Sequence, residues 1–557
     1  MIITLVLWIY IAILSFFYGG MALVLYEKIT QKSVAYVPVP LIVIMGMVIL
    51  ATVGMWLSLF IKLGFLANLL LITGAAIIYF LKYYIPPRLN IQWSWQQIII
   101  GILAFLIFIT ILENSTHTTA NADTALYHAQ SIHWIEDYKV VPGLGNLHTR
   151  LAFNSSWLLL NALFSFSFAG DVSFHVLSGF FVLFSMLYFL RGGAALLRQE
   201  YALYNFISVL LIPILFYVQG DEIKSPGTDL PATIFIWLVV VIWLEFIVGD
   251  NKNDSFFFIL VTFIAFALTV KISVFPLLLL MLYPFFLLLS RKEWHALFAL
   301  LSMAGFIILP WLARNVILSG YLIFPFPGID IFDVDWKVPL DRVQKVKDAI
   351  IGFARSLGKN WIDTPKLSFR QWYPFWFTNH TSNQKAIFLL AVSSPLGVLY
   401  QSFARAYQRI HSAFYILFGV LYASLLFWLS QAPSFRFGYG FLLSLISLGY
   451  LPILIKIFHR EKRVAQSITV LILMSTFLYL GYFFSKSLAS EPLSTRLLFP
   501  MPYSSSKADA CPLGELEAFC TGEQYQCHYD AFPCVISLPP NLSSRDGTLA
   551  GGFRFSE

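Results

Sequence analysis

Apolar runs of about 17–25 residues recur along almost the whole chain, each long enough to cross the roughly 30 Å hydrocarbon core of a bilayer. That repetition leaves little choice of fold. Lipid offers the backbone no hydrogen-bonding partner, so a segment this long satisfies its amides there only as an α-helix. The expectation is an all-α polytopic membrane protein. Composition agrees, because 59% of the 557 residues are hydrophobic and only 12% are charged, against roughly 25% in soluble domains. About 14 spans are expected, over residues 2–25, 40–62, 65–84, 98–113, 171–192, 205–219, 229–247, 255–271, 273–290, 295–316, 385–402, 413–430, 438–457 and 466–485. The first lacks a basic leader and a small-residue cleavage site, which favours a span over a signal peptide.

The net charge of +7 does not point to nucleic acid, because cations in such a chain gather in cytoplasmic loops. Their distribution decides the topology. The segment "NSSWLLLNALFSFSFAG", 154–170, is short, and counting it as a span reverses every later loop. With it placed in the interface or re-entrant, Arg191, Arg198, Lys252, Arg291, Lys292, Arg405, Arg409, Arg460, Lys462 and Arg463 join Lys28, Lys32 and Arg88 on one side. The short outer turns then keep chiefly Lys224, Lys271 and Arg436. Both termini and the 114–170 loop fall outside.

This divides the chain into six parts. Four spans (1–113) precede an outer polar loop with juxtamembrane helices (114–170) and a central spanning module (171–316). A long outer loop (317–384), further spans (385–485) and a small outer domain (486–557) complete the chain. In the long loop, "PLDRVQKVKDAIIGFARSLGKNW" repeats Val343, Val346, Ile350, Phe353 and Leu357 at helical spacing. Arg342, Lys345, Arg355 and Lys359 lie between them, as in a helix on a membrane surface. The last domain holds Cys511, Cys520, Cys527 and Cys534 with no CxxC pair, so two disulfides are expected there.

The outer loop reads "NADTALYHAQSIHWIEDYKVVPGLGNLHTR", residues 121–150. It concentrates His128, His133 and His148 beyond His117, together with the acid Asp123. Continued as a helix from Asp123, the stretch places Asp123, Tyr127, Gln130 and Trp134 on one face. Asp123 in the first turn also suits an N-cap. The histidines show no compact ligand spacing for a metal. Asp221 and Glu222 beside Asp229 are candidates to hold a divalent cation.

An acid in the first large outer loop, followed by a juxtamembrane helix and many spans, resembles the GT-C superfamily of polyprenyl-phosphate-sugar-dependent membrane glycosyltransferases. "SPGTDLPATIFIW" (225–237) is similar to its second acidic site, here Asp229. "FALTVKISVFPLL" (266–278) looks like its lysine between two spans, here Lys271. "PWLARNVILSGYLIFPF" (310–326) resembles its span ending in Arg-Asn, here Arg314 and Asn315. "APSFRFGYG" (432–440) looks like the late outer turn whose arginine meets the lipid phosphate, here Arg436. The likeness covers roughly 110–450. It departs from the common pattern in the four spans before the acidic loop and in the Thr after Asp123. The block "YHAQSIHWIEDYKVVPGLGNLHTRLAFNSSW" resembles an uncharacterised family of large bacterial membrane proteins.

The resemblance implies an inverting transfer of a sugar from a polyprenyl-phosphate donor to a glycan, lipid or protein hydroxyl. It would act on the periplasmic face of a bacterial inner membrane, without requiring a metal. The chemistry is consistent with that. A lipid phosphate is a good leaving group, so the protein must deprotonate an acceptor and neutralise phosphate. A carboxylate suits the first task and cations at the membrane surface the second. Asp123, with Asp229 and His128, is the expected catalytic set. Tyr127, Trp134, His148, Arg150, Lys271, Arg314, Asn315 and Arg436 are the expected substrate contacts. A transporter or flippase for a lipid-linked or anionic glycan is the rival, which broken helices and internal repeats would favour. A non-catalytic scaffold is a third possibility.

Overall fold

In the computed structural model of the chain, the apolar runs form helices. Every residue is described except Ala35, 87–93, Ala120, Asp171, 249–253, 359–360, 404–411, 514–515, 523–524 and 556–557, and the side chains of Phe403 and 457–460. Arg88, Lys252, Lys359, Arg405, Arg409 and the side chain of Arg460 therefore lie outside the described residues. Among those described, 11 helices are long and apolar enough to cross a membrane, and the chain is a multi-pass membrane protein. Each expected span coincides with a helix. Phe65–Phe80 and Ser255–Val270 are shorter than the rest, and Ser382–Phe403 opens on the polar sequence Ser-Asn-Gln-Lys.

One apolar core runs from the first helix to Lys462–Ser490. The first two helices, Ile2–Thr30 and Val39–Leu57, touch backbone to backbone at Gly19 and Gly46. A Cβ on Gly46 would stand 1.7 Å from the Ser15 carbonyl oxygen, so only glycine permits that approach. The ambiguous 154–170 segment becomes the eight-residue helix Ser156–Leu163 and a 3-10 turn, Ser167–Ala169. All of Ser156–Leu163 is buried inside the protein.

Ion pairs record which loops share an end of the bundle. Lys32 bonds Asp254 at 3.2 Å and Glu293 at 2.8 Å, and Arg291 reaches Asp254 at 3.2 Å. At the other end, the Met1 ammonium donates to the Arg496 carbonyl at 2.7 Å, and Arg496 bonds Glu113 at 2.6 Å. The turns that carry Lys32, Asp254 and Arg291 thus sit together, at the end of the first helix opposite Met1.

The long loop folds its amphipathic stretch as the helix Leu340–Ser356. A second helix, Phe369–Asn379, comes after it, closed by a capping box between Ser368 and Gln371. Both brace the turn that leads to Arg436. Arg355 donates to the Ser430 carbonyl at 2.6 Å, Trp376 Nε1 donates to the Pro433 carbonyl at 2.8 Å, and Trp376 stacks on Phe435.

The tail departs from the all-α expectation. Asp509–Leu513 pairs antiparallel with Leu516–Cys520, which pairs parallel with Cys534–Val535. Leu542–Ser544 and Phe553–Phe555 form a second ladder. Disulfides join Cys511 to Cys520 and Cys527 to Cys534. Such a short, polar chain lacks the apolar surface for a core of its own. It shares one with the outer loop instead, where Trp134, Val141, Leu144 and Leu147 pack with Leu513, Val535 and Phe553.

Candidate functional site

The acidic turn is not a plain helix. Thr124–His128 is a π-helix that passes into the α-helix Ala129–Asp137. The extra residue in the π turn rotates the downstream helix face by roughly 100°. Asp123 and Tyr127 are thereby parted from Gln130 and Trp134, which turn to the tail, so the single face expected from sequence is broken. Asp123 precedes the π turn, but its side chain makes no capping bond. Asn121 fills that role, its Oδ1 accepting from the Thr124 amide at 3.0 Å.

The Asp123 carboxylate is free to meet cations. Arg436 donates to Oδ2 at 2.7 Å and Arg150 approaches Oδ1 at 3.5 Å. Arg436 Nε also stands 3.5 Å from Asp229 Oδ2. Asp229 opens the helix Asp229–Ile242, and its other oxygen takes the Lys271 ammonium. Lys271 lies in extended backbone between Ser255–Val270 and the 3-10 segment Ile272–Met281. Its ammonium sits 3.8 Å from the centre of the Phe437 ring, and Arg436 packs on the same ring. Two acids and three cations from five separate segments thus form one cluster.

Electrostatics set the protonation states. Burial opposes ionisation of Asp123, but the positive groups around it, Arg436 first, hold its carboxyl below the usual range. Burial lowers His128 to about 4 despite the nearby Asp123, so its ring is neutral at pH 7. The two arginines therefore keep Asp123 anionic. His128 Nδ1 lies 3.3 Å from Thr124 Oγ1, which in turn bonds Ser225 Oγ at 2.8 Å. Tyr127 meets the His128 ring edge-on, with Arg150 over its own face.

Other expected site residues lie elsewhere. Arg314 is buried, donating to Asn154 Oδ1 at 3.0 Å and Ser58 Oγ at 2.6 Å, and Asn315 donates to the Leu322 carbonyl. These bonds tie the loop to two helices. Trp134 is in the shared core. His148, which burial lowers to about 3, has Arg150 and Arg342 as its charged neighbours. Asp221 is exposed and faces Lys224, whereas both Glu222 oxygens accept from Asn121 at 2.8 Å. Among the described residues, no group of three or more His, Cys, Asp or Glu is placed to hold a metal ion. The histidines serve separate ends: His117 bonds the buried Glu113, and His133 stacks between Tyr529 and Phe532.

The tail's hold on the acidic turn was invisible in the sequence. Within the loop closed by Cys527 and Cys534, the His528 amide donates to the Ala125 carbonyl at 2.8 Å. Gln130 Nε2 donates to the His528 and Ala531 carbonyls, and Gln130 Oε1 accepts from the Cys534 amide. Tyr529 Oη donates to Glu136 at 2.5 Å. Gln130→Ala leaves three backbone groups short of a partner, at about 1–3 kcal/mol each where water cannot replace it. The expected result is a tail cleaved faster in limited proteolysis, while the bundle keeps its helical signal. Unchanged cleavage would show that this amide does not hold the tail.

No curated protein and no solved structure matches the chain. One family model does, over residues 1–443, a stretch that contains Asp123, Asp229, Lys271 and Arg436 but not the tail. The chain belongs to that family, which is described as Domain of unknown function (DUF8201).

Proposed function

We propose that the protein is a GT-C-like inverting glycosyltransferase with about 14 spans, set in a bacterial inner membrane with its site toward the periplasm. One observation carries the reading. An acid from the outer loop, Asp123, and an acid opening a span, Asp229, are held by a single distant arginine, Arg436. Asp123 takes the proton of an acceptor hydroxyl on a glycan, lipid or protein. The acceptor oxygen attacks the anomeric carbon from the face opposite the phosphate. The bond from that carbon to the phosphate oxygen breaks, and both electrons leave with the polyprenyl phosphate. Arg436 and Lys271 stabilise the charge that grows there. Arg150 and Tyr127 flank the acceptor side, and neutral His128 orients it.

The test uses purified protein in vesicles with a labelled polyprenyl-phosphate sugar and an acceptor glycan. Label joined to acceptor with inverted anomeric configuration supports the reading. Donor that crosses the bilayer unchanged indicates the transporter instead. The sidedness has its own test, motivated by the bias of cations in the sequence toward one set of loops. A cysteine introduced after Lys462 should react with an impermeant reagent only once cells are opened. Labelling in intact cells reverses the orientation.

A further inference from the structure

A second polar site lies at the opposite end of the bundle. The helices Leu177–Leu197 and Leu203–Gln219 meet at Gly192, where a Cβ would stand 2.6 Å from the Asn205 carbonyl oxygen. Past that contact they part around a cavity, walled on its third side by the π turn Trp243–Val248. Such turns redirect side chains and recur at functional sites. This one presents Glu245, whose oxygens accept from Tyr188 Oη at 2.9 Å and Arg191 at 3.3 Å. Across the cavity Arg198 Nε donates to Glu200 at 2.9 Å.

Two features define what would fit. Arg191 and Arg198 are 40% and 52% exposed; Arg198 spends one nitrogen on Glu200, while Arg191 spends one on Glu245 and lies over the Tyr188 ring, and the five donors of each guanidinium outnumber those contacts. The lining is charge-balanced, with two guanidinium and two carboxylate groups. A simple anion would compete with both acids for the arginines. A molecule with a phosphate and a primary ammonium satisfies both signs at once, the phosphate on the arginine forks and the ammonium on the carboxylates.

The place in the fold is equally telling. The helix Leu177–Leu197 rises about 30 Å. Near its start Ser178 bonds the Ser225 carbonyl beside the Asp123 turn, Arg191 lies about 20 Å along it, and Arg198 caps its far end. The cavity therefore opens at headgroup depth on the other bilayer surface. We infer that it binds a phosphodiester bearing a primary ammonium group, as in an aminated phospholipid headgroup.

The full chain, purified in detergent, would be offered equimolar phosphatidylethanolamine, phosphatidylcholine and phosphatidylglycerol, and bound lipid counted by native mass spectrometry. Retention of phosphatidylethanolamine about tenfold over the other two is expected. It should fall to the phosphatidylcholine level in Arg191→Ala/Arg198→Ala, and in part in the surface variant Arg198→Ala, which leaves the buried Glu245–Tyr188 contact intact. Glu245→Gln should erase the preference over phosphatidylglycerol. Displacement by glycerophosphoethanolamine would assign the site to a soluble source of the same group, and resistance to it assigns the lipid. Equal retention of all three lipids, or variants that retain as much as the parent, overturns the inference. Asp123→Asn should bind the lipid normally, which keeps this test independent of the proposed transfer.

Discussion

Asp123→Asn is expected to lower transfer turnover by roughly two to four orders of magnitude, the usual worth of a positioned general base, while donor binding persists. Asparagine keeps the size of the side chain and an acceptor for Arg436, but it cannot take a proton. The substitution should not unfold the loop, because Asn121 rather than Asp123 caps the turn. Its readout is a transfer assay beside a donor-binding titration, on variants of equal thermal stability. Unchanged turnover would sink the mechanism. The pH profile supplies a second check. Since the folded carboxyl lies below its ordinary 3.8, the base form is present at neutral pH and disappears only as pH falls through that lowered value. His128 behaves likewise, its folded pKa of about 4 lying below the ordinary 6.5. Its contribution to stability is complete above 6.5 and erodes as pH falls toward 4. Rates measured above pH 6.5 are therefore free of acid unfolding from this group.

The parts legible in the sequence are those that lipid dictates. A run such as 229–247 had to be a helix, and the cation bias alone puts Lys32, Arg291 and Lys292 at one end. The pairing of Asp229 with Lys271 was not legible: each stands in its own short motif, and nothing in the sequence joins the two. The features that stayed hidden depend on one-residue register and on long-range packing. The π turn at Thr124–His128 leaves no periodic trace, yet it moved Gln130 and Trp134 off the Asp123 face. A regular helix was the only pattern that spacing could supply. The tail's clasp joins residues some 400 apart in sequence, such as Gln130 and Cys534, and polar groups of that kind have no pattern until the partner is placed. The bonds of Arg314 stayed hidden for a related reason, since an arginine near a helix end gives no sign in the sequence of partners such as Ser58 and Asn154.

Arg436→Ala tests the other half of the site and should act on binding as well as rate. In the structure Arg436 bridges Asp123 and Asp229, so its charge is already balanced by carboxylates. A lipid phosphate would exchange with Asp123 for that guanidinium, and the exchange would free Oδ2 to accept a proton. Without Arg436 the donor loses a charge-assisted hydrogen bond of about 1.5–3 kcal/mol, equivalent to a Kd weakened about 10- to 150-fold. Turnover should also fall, because the phosphate charge grows in the transition state. Arg436→Lys keeps the charge but not the planar fork that spans two acids, and should recover only part of either loss. The same deletion removes the cation that does most to keep Asp123 ionised, so its carboxyl pKa must rise. The acid limb of the pH–rate profile therefore moves to higher pH in Arg436→Ala and stays near the parent position in Arg436→Lys. Because Arg436 is about half exposed, the helix Phe435–Arg460, whose first turn it occupies, should survive the change. An Arg436→Ala protein that binds donor as tightly as the parent, with its acid limb unmoved, would show that this arginine serves neither the phosphate nor Asp123.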